Sequence, residues 1–101
     1  MASRVDLQRE LESLLGSRHV YYQAPESVKM EYPAIRYKKS DIPIKHANDK
    51  PYIHKKKYEI VVIDRKPDNP VINEILKLPS CTYSTYYTAD NLHHDVMTLY
   101  Y

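Results

Sequence analysis

A chain of 101 residues with a formal net charge of +2 has room for one hydrophobic core and reads as one domain over residues 1–101. Its aromatic residues are eleven tyrosines with neither phenylalanine nor tryptophan, and Gly16 is its one glycine, which excludes a phosphate-cradling loop because such loops need clustered glycines. No stretch approaches the roughly 20 apolar residues of a membrane span and the polar N-terminus carries no signal-peptide core, so synthesis in the cytoplasm without membrane contact is expected.

Ser3 can cap a first helix, Asp6 sits in its first turn, and Leu7, Leu11, Leu14 and Leu15 recur at helical spacing until Gly16 ends it. Burying those leucines contributes on the order of 1.5–3 kcal/mol each before entropy is counted, so the stripe must lie against another element. Residues 17–31 read as a short extended piece and an irregular connection. From Tyr32 to Lys39, Ile35 and Tyr37 alternate with Arg36 and Lys38, the period of a half-buried strand. Ser40 to His54 contains Pro43, Pro51, Asp41, Asn48 and Asp49, where a regular ladder lapses, and reads as a long arm between two strands. Lys55 to Asp64 resumes as a strand apolar on both faces, with Tyr58, Ile60 and Val62 on one and Val61 and Ile63 on the other, which predicts a central position in its sheet.

Asn69 followed by Pro70 predicts the cap and first position of a second helix, whose apolar side is Val71, Ile72, Ile75, Leu76 and Leu78 and whose stop is Pro79. Cys81 to Thr88, rich in Tyr and Thr, predicts another strand, Ala89 to Asn91 a polar turn, and His94 to Tyr101 a closing strand with Tyr100 and Tyr101 at a rim that another subunit could cover. The order implies an α+β fold: a mainly antiparallel sheet with two helices packed on one face and a long basic strand-to-strand arm.

Side chains for chemistry are sparse. The lone Cys81 can form no internal disulfide, suggests a reducing compartment, and at a strand start reads as a small core residue rather than a nucleophile. His93, His94 and Asp95 form the densest ligand-like run, but consecutive strand residues point to opposite faces. His46 and His54 from the arm could add ligands, though no spacing rule demands it. The acids are scattered, leaving no place for general acid–base work. No cofactor, no metal and no enzymatic activity are expected.

The charge is unevenly spread. Between Arg36 and Lys57 eight Lys and Arg face two acids, a local +6, so the rest of the chain sums to −4. A small domain rarely spends about fifteen residues on a loop without a use for it. The expected partner-contact residues are Lys38, Lys39, Lys45, His46, Lys50, Tyr52, His54, Lys55, Lys56 and Lys57, with Tyr100 and Tyr101. Three readings compete: a solubilising face; a nucleic-acid groove with Tyr37, Tyr52 and Tyr58 stacking on bases; or a clasp onto acids such as Glu10, Glu12 or Glu59 of a neighbouring copy.

The runs Tyr32-Pro33-Ala34-Ile35-Arg36-Tyr37, Tyr58-Glu59-Ile60-Val61-Val62-Ile63-Asp64 with Pro67-Asp68, Leu78-Pro79-Ser80-Cys81, Tyr87-Thr88-Ala89-Asp90-Asn91-Leu92-His93-His94-Asp95 and Leu99-Tyr100-Tyr101 resemble small tail completion proteins of long-tailed bacteriophages. Over roughly residues 32–101 the chain is similar to the tail terminators of the λ-like group. That resemblance implies a structural protein of the virion, assembled in the host cytoplasm, with a one-layer sheet backed by helices. It implies a homo-oligomeric ring of six copies that caps the tail tube and joins it to the neck and capsid. The implied partners are the tube protein, neck or connector proteins, and DNA in transit through the channel. A head-tail connector or stopper of the neck, or a small basic nucleic-acid-binding module, remains the alternative.

Overall fold

In the computed structural model, which describes residues 4–24, 29–40 and 56–101, the first leucine stripe forms helix α1 (Arg4–Leu15) and buries Leu7 and Leu11 completely. Leu14 and Leu15 pack against the margin of the core, and Gly16 closes the helix with φ of +80°, its N–H donating to the Glu12 carbonyl at 2.9 Å. The proposed cap Ser3, residues 41–54 of the arm and Lys55 lie outside the described residues.

Five strands follow: β1 (Val20–Tyr22), β2 (Ala34–Lys39), β3 (Lys57–Asp64), β4 (Cys81–Ala89) and β5 (Leu92–Tyr100), with helix α2 (Val71–Leu76) between β3 and β4. They form one mixed sheet in the order β1-β2-β3-β5-β4. The pairs β2–β3, β3–β5 and β4–β5 are antiparallel, whereas β1 lies parallel to β2, with Val20 opposite Ile35. The short extended piece expected near Val20 is thus an edge strand whose parallel pairing makes the sheet, expected to be mainly antiparallel, a mixed one.

The doubly apolar β3 is central, as its pattern predicts. One face carries Val20, Ile35, Tyr37, Tyr58, Ile60, Val62, Met97 and Leu99, which join Leu7 and Leu11 of α1 and Val71 and Ile75 of α2 in one buried cluster. The opposite face is crossed by lateral rows: Ala34, Ile63, His94 and Tyr87 lie side by side, as do Lys38, Glu59, Thr98 and Thr82. Ala34, Val61 and Ile63 are buried there, and the Tyr87 ring stacks on His94 with centroids 4.6 Å apart.

At Tyr37 the hydroxyl of a core tyrosine is used. Tyr37 is fully buried, donates to Gln8 Oε1 at 2.5 Å and accepts from Arg4 Nη1 at 3.3 Å. Gln8 Nε2 in turn donates to the Val20 carbonyl at 2.9 Å and to Glu12 Oε2 at 3.0 Å, so one side chain ties α1 to both β1 and β2. Arg4 also lies 4.4 Å over the Tyr22 ring, which itself meets Tyr37 at 4.9 Å.

Asn69 begins α2 as its sequence suggests: its side-chain oxygen accepts from the Val71 N–H at 2.9 Å, and Pro70 already has helical dihedrals. Asn69 Nδ2 also donates to Asp64 Oδ2 at 2.7 Å, fixing the turn after β3. The closing strand starts at Leu92, two residues before the expected His94. Ala89 pairs directly with Leu92, and the two residues between them, Asp90 and Asn91, have φ of 54° and 62°, as a type I′ hairpin requires.

Candidate interaction surface

The structure separates two ends along β3. At the end where β3 begins, the Ser40 N–H donates to the Lys57 carbonyl at 2.8 Å, and Lys56 and Tyr101 exchange backbone hydrogen bonds of 3.0 and 2.9 Å. Lys57 faces Tyr100 across the β3–β5 ladder. The six described members of the predicted contact set, Lys38, Lys39, Lys56, Lys57, Tyr100 and Tyr101, therefore converge. Lys38, Lys39 and Lys56 are exposed and Lys57 is half-buried. Lys45, His46, Lys50, Tyr52, His54 and Lys55 lie outside the described residues.

Several sequence expectations change at this end. Tyr37 and Tyr58 are 0% and 2% exposed, so neither ring can stack on a base, and burial pushes both hydroxyls above their ordinary pKa. They belong to the core because they share its face with Ile60. Tyr101 serves its own subunit: its ring packs against the core and its hydroxyl donates to Glu10 Oε2 at 3.0 Å, with the pKa pushed up to about 12 by burial and then by that bond. Glu10 and Glu12, offered above as acids for a neighbour's lysines, have internal partners in Tyr101 and Gln8. Glu59 lies opposite Lys38 in the ladder.

The other surface is the β4 edge, which the sequence reading did not include. Residues 82–88 are all exposed, and one side of β4 has no strand partner within the described sheet. Edge strands are ordinarily guarded by charge or proline. Residues 80–89 carry neither. A register shift between Tyr83 and Thr85 marks a bulge at Ser84. The bulge has a consequence for the face: Tyr83 pairs with Met97 and Tyr86 with Asp95, so two residues three apart lie on the helix-bearing side instead of opposite sides.

There, Tyr83, Tyr86, Thr88, His93 and Asp95 meet Asp68 of the turn before α2 around an open groove of about 550 Å³. Tyr83 donates to Asp95 Oδ1 at 2.6 Å, and that bond, with Asp95's charge, pushes the Tyr83 hydroxyl up to about 12. Tyr83 and Tyr86 are 42% and 72% exposed. The signal in the sequence was the tyrosine-rich strand, but strict alternation assigns Tyr83 and Tyr86 to different faces, which hides the groove.

His93 and His94 fall on opposite faces, as strand alternation predicts, with His94 Nδ1 donating to the Leu92 carbonyl at 3.1 Å. Among the described residues no three His, Cys, Asp or Glu are placed to hold a metal, and no helix is long and apolar enough to cross a membrane. Cys81 is half-buried and packs against the core; burial raises its thiol pKa, opposite to the direction that activates a nucleophile.

No family model matches the chain, and neither curated proteins nor solved structures give a match.

Proposed function

We propose that the protein is a structural component of a phage tail that acts by forming a ring on the tail tube and joining it to the neck, rather than by catalysis. The observation that carries this reading is the β4 edge, which has a bulge but neither charge nor proline: a nine-residue strand, exposed over residues 82–88 and flanked by protruding tyrosines. Such an edge invites strand addition or close subunit contact. The run that carries the resemblance most strongly, Tyr87 to Leu92 together with the aromatic ending, begins at the exposed end of β4 and turns into β5, so it adjoins the exposed edge. The basic strand-to-strand arm of a ring subunit would extend from the opposite end of the sheet, where its described base carries Lys38, Lys39, Lys56 and Lys57.

Nucleic-acid binding is less well supported, because two of the three tyrosines that could stack on bases are core residues. The test is reconstitution: the purified chain is mixed with tubes assembled from the tube protein encoded in the same genome. Binding at tube ends, seen as a terminal ring by electron microscopy, is the expected result. Tubes that keep bare ends and continue to lengthen with the protein in excess would refute the reading.

A further inference from the structure

Building on the ring reading, we propose that the groove holding Asp68, Tyr83, Tyr86, His93 and Asp95 is a socket for lysines of a second copy, supplied by that copy's Lys38, Lys39, Lys56 and Lys57. Subunits then join head to tail.

The first argument is placement. The lysines lie where β3 begins, whereas the groove runs beside its second half, with Tyr83 level with Ile60, Asp95 with Val62 and His93 with Asp64, and reaches Asp68 past its end. Lys39, on the groove's face, pairs with Tyr58 while Asp95 pairs with Val62, about 13 Å along the strands and about 9.5 Å across them, which is farther than a lysine side chain spans; Lys38 and Lys57 point to the other face. Among the described residues the ion pairs are His19–Glu31 and Lys77–Glu74, so neither Asp68 nor Asp95 has a cation and none of the four lysines has a carboxylate. Asp95 is held by the neutral Tyr83 hydroxyl, which orients its carboxylate without neutralising it.

The second argument is the chemistry of the lining. Two carboxylates beside two exposed phenol rings suit an ammonium group, which gains charge pairing and a ring face together. They repel phosphate. Arg65 and Lys66 lie on the same turn but are not part of the groove lining. A two-fold contact could also pair these unlike ends, reciprocally and in a closed dimer; on the ring reading the contact is head to tail, pairs unlike ends once at every junction and closes if the rotation allows.

Sedimentation velocity at low salt tests this with two charge-reversed proteins. One carries Asp68→Lys with Asp95→Lys, the other Lys56→Glu with Lys57→Glu; circular dichroism melting establishes that each is folded. The wild type is expected to associate, reversibly with salt, and each variant alone to associate about tenfold or more weakly. An equimolar mixture should recover the wild-type assembly, because an alternating ring again pairs unlike charges at every contact. Should the lysine-bearing socket prevent folding, Asp68→Asn with Asp95→Asn serves in its place and is expected to weaken association about tenfold.

A wild type that associates while the acid variants associate equally well would overturn the socket and leave the ring reading standing. Folded variants whose mixture is no better than either alone would also overturn it. A wild type that stays monomeric at every concentration, with and without tube protein, would overturn both.

Discussion

Gln8 is half-buried on a surface helix, yet its replacement by alanine is expected to cost more than most surface changes. Its amide accepts from the Tyr37 hydroxyl at 2.5 Å and donates to the Val20 carbonyl at 2.9 Å. Without it, the hydroxyl of a fully buried tyrosine keeps only the 3.3 Å contact from Arg4, an angle-sensitive bond near the outer limit of hydrogen-bond length. Leaving a buried polar group poorly satisfied costs about 1–3 kcal/mol. Tyr37→Phe removes the hydroxyl but leaves Gln8 near water, so the loss is smaller, about 0.5–1.5 kcal/mol. In the double variant no hydroxyl is stranded, and its cost should fall below the sum of the two singles by roughly 1 kcal/mol. Urea unfolding of the four proteins gives the cycle. For a domain of this size each kcal/mol corresponds to about 4–8 °C in Tm. Additive costs, or a Gln8→Ala variant within a few tenths of a kcal/mol of wild type, would refute the view that this side chain joins α1 to the sheet.

Four further outcomes follow. Asn91→Val places a β-branched residue at φ of 62°, and thermal melting should show a loss of about 1–2 kcal/mol, whereas Asn91→Gly should be neutral or stabilising. The hydroxyls of Tyr83 and Tyr101 should ionise near 12 in an ultraviolet titration while unfolded tyrosines ionise near the ordinary 10; because the folded state then holds more protons, stability is full below about 10 and declines as pH rises toward 12. Asp95→Asn should bring Tyr83 back toward the ordinary value, since its carboxylate is the leading cause of the shift. Excising residues 42–52 leaves Asp41, Ile53, His54 and Lys55 to span Ser40 to Lys56, enough for a hairpin between the antiparallel β2 and β3, so the variant should keep a cooperative melt while losing assembly; an unfolded product would assign the arm to the core.

The parts of the fold legible in sequence were those in which one physical signal acted alone. Leu7 and Leu11 with Gly16, Asn69 with Pro70, and the doubly apolar β3 each encode their place through periodicity, capping or burial on two sides. β1 escaped a firm assignment because three residues carry too little alternation, and parallel pairing leaves no hairpin turn to mark it. The hairpin boundary shifted because two residues with positive φ suffice where a three-residue turn was expected. Tyr37 and Tyr58 interleave with lysines in sequence like base-stacking residues, but only the register shows that they face the helices. The groove was hidden for the converse reason, since the bulge at Ser84 breaks the alternation that a reader must assume.

Subunit contact through unlike ends is the centre of this account, and native mass spectrometry of the purified chain over a range of concentrations tests it most directly. The expected spectrum shows the 12.0 kDa monomer giving way to a closed species of about six copies as concentration rises or tube protein is added, and reverting in high salt. A spectrum that holds the monomer alone under all of those conditions would contradict it.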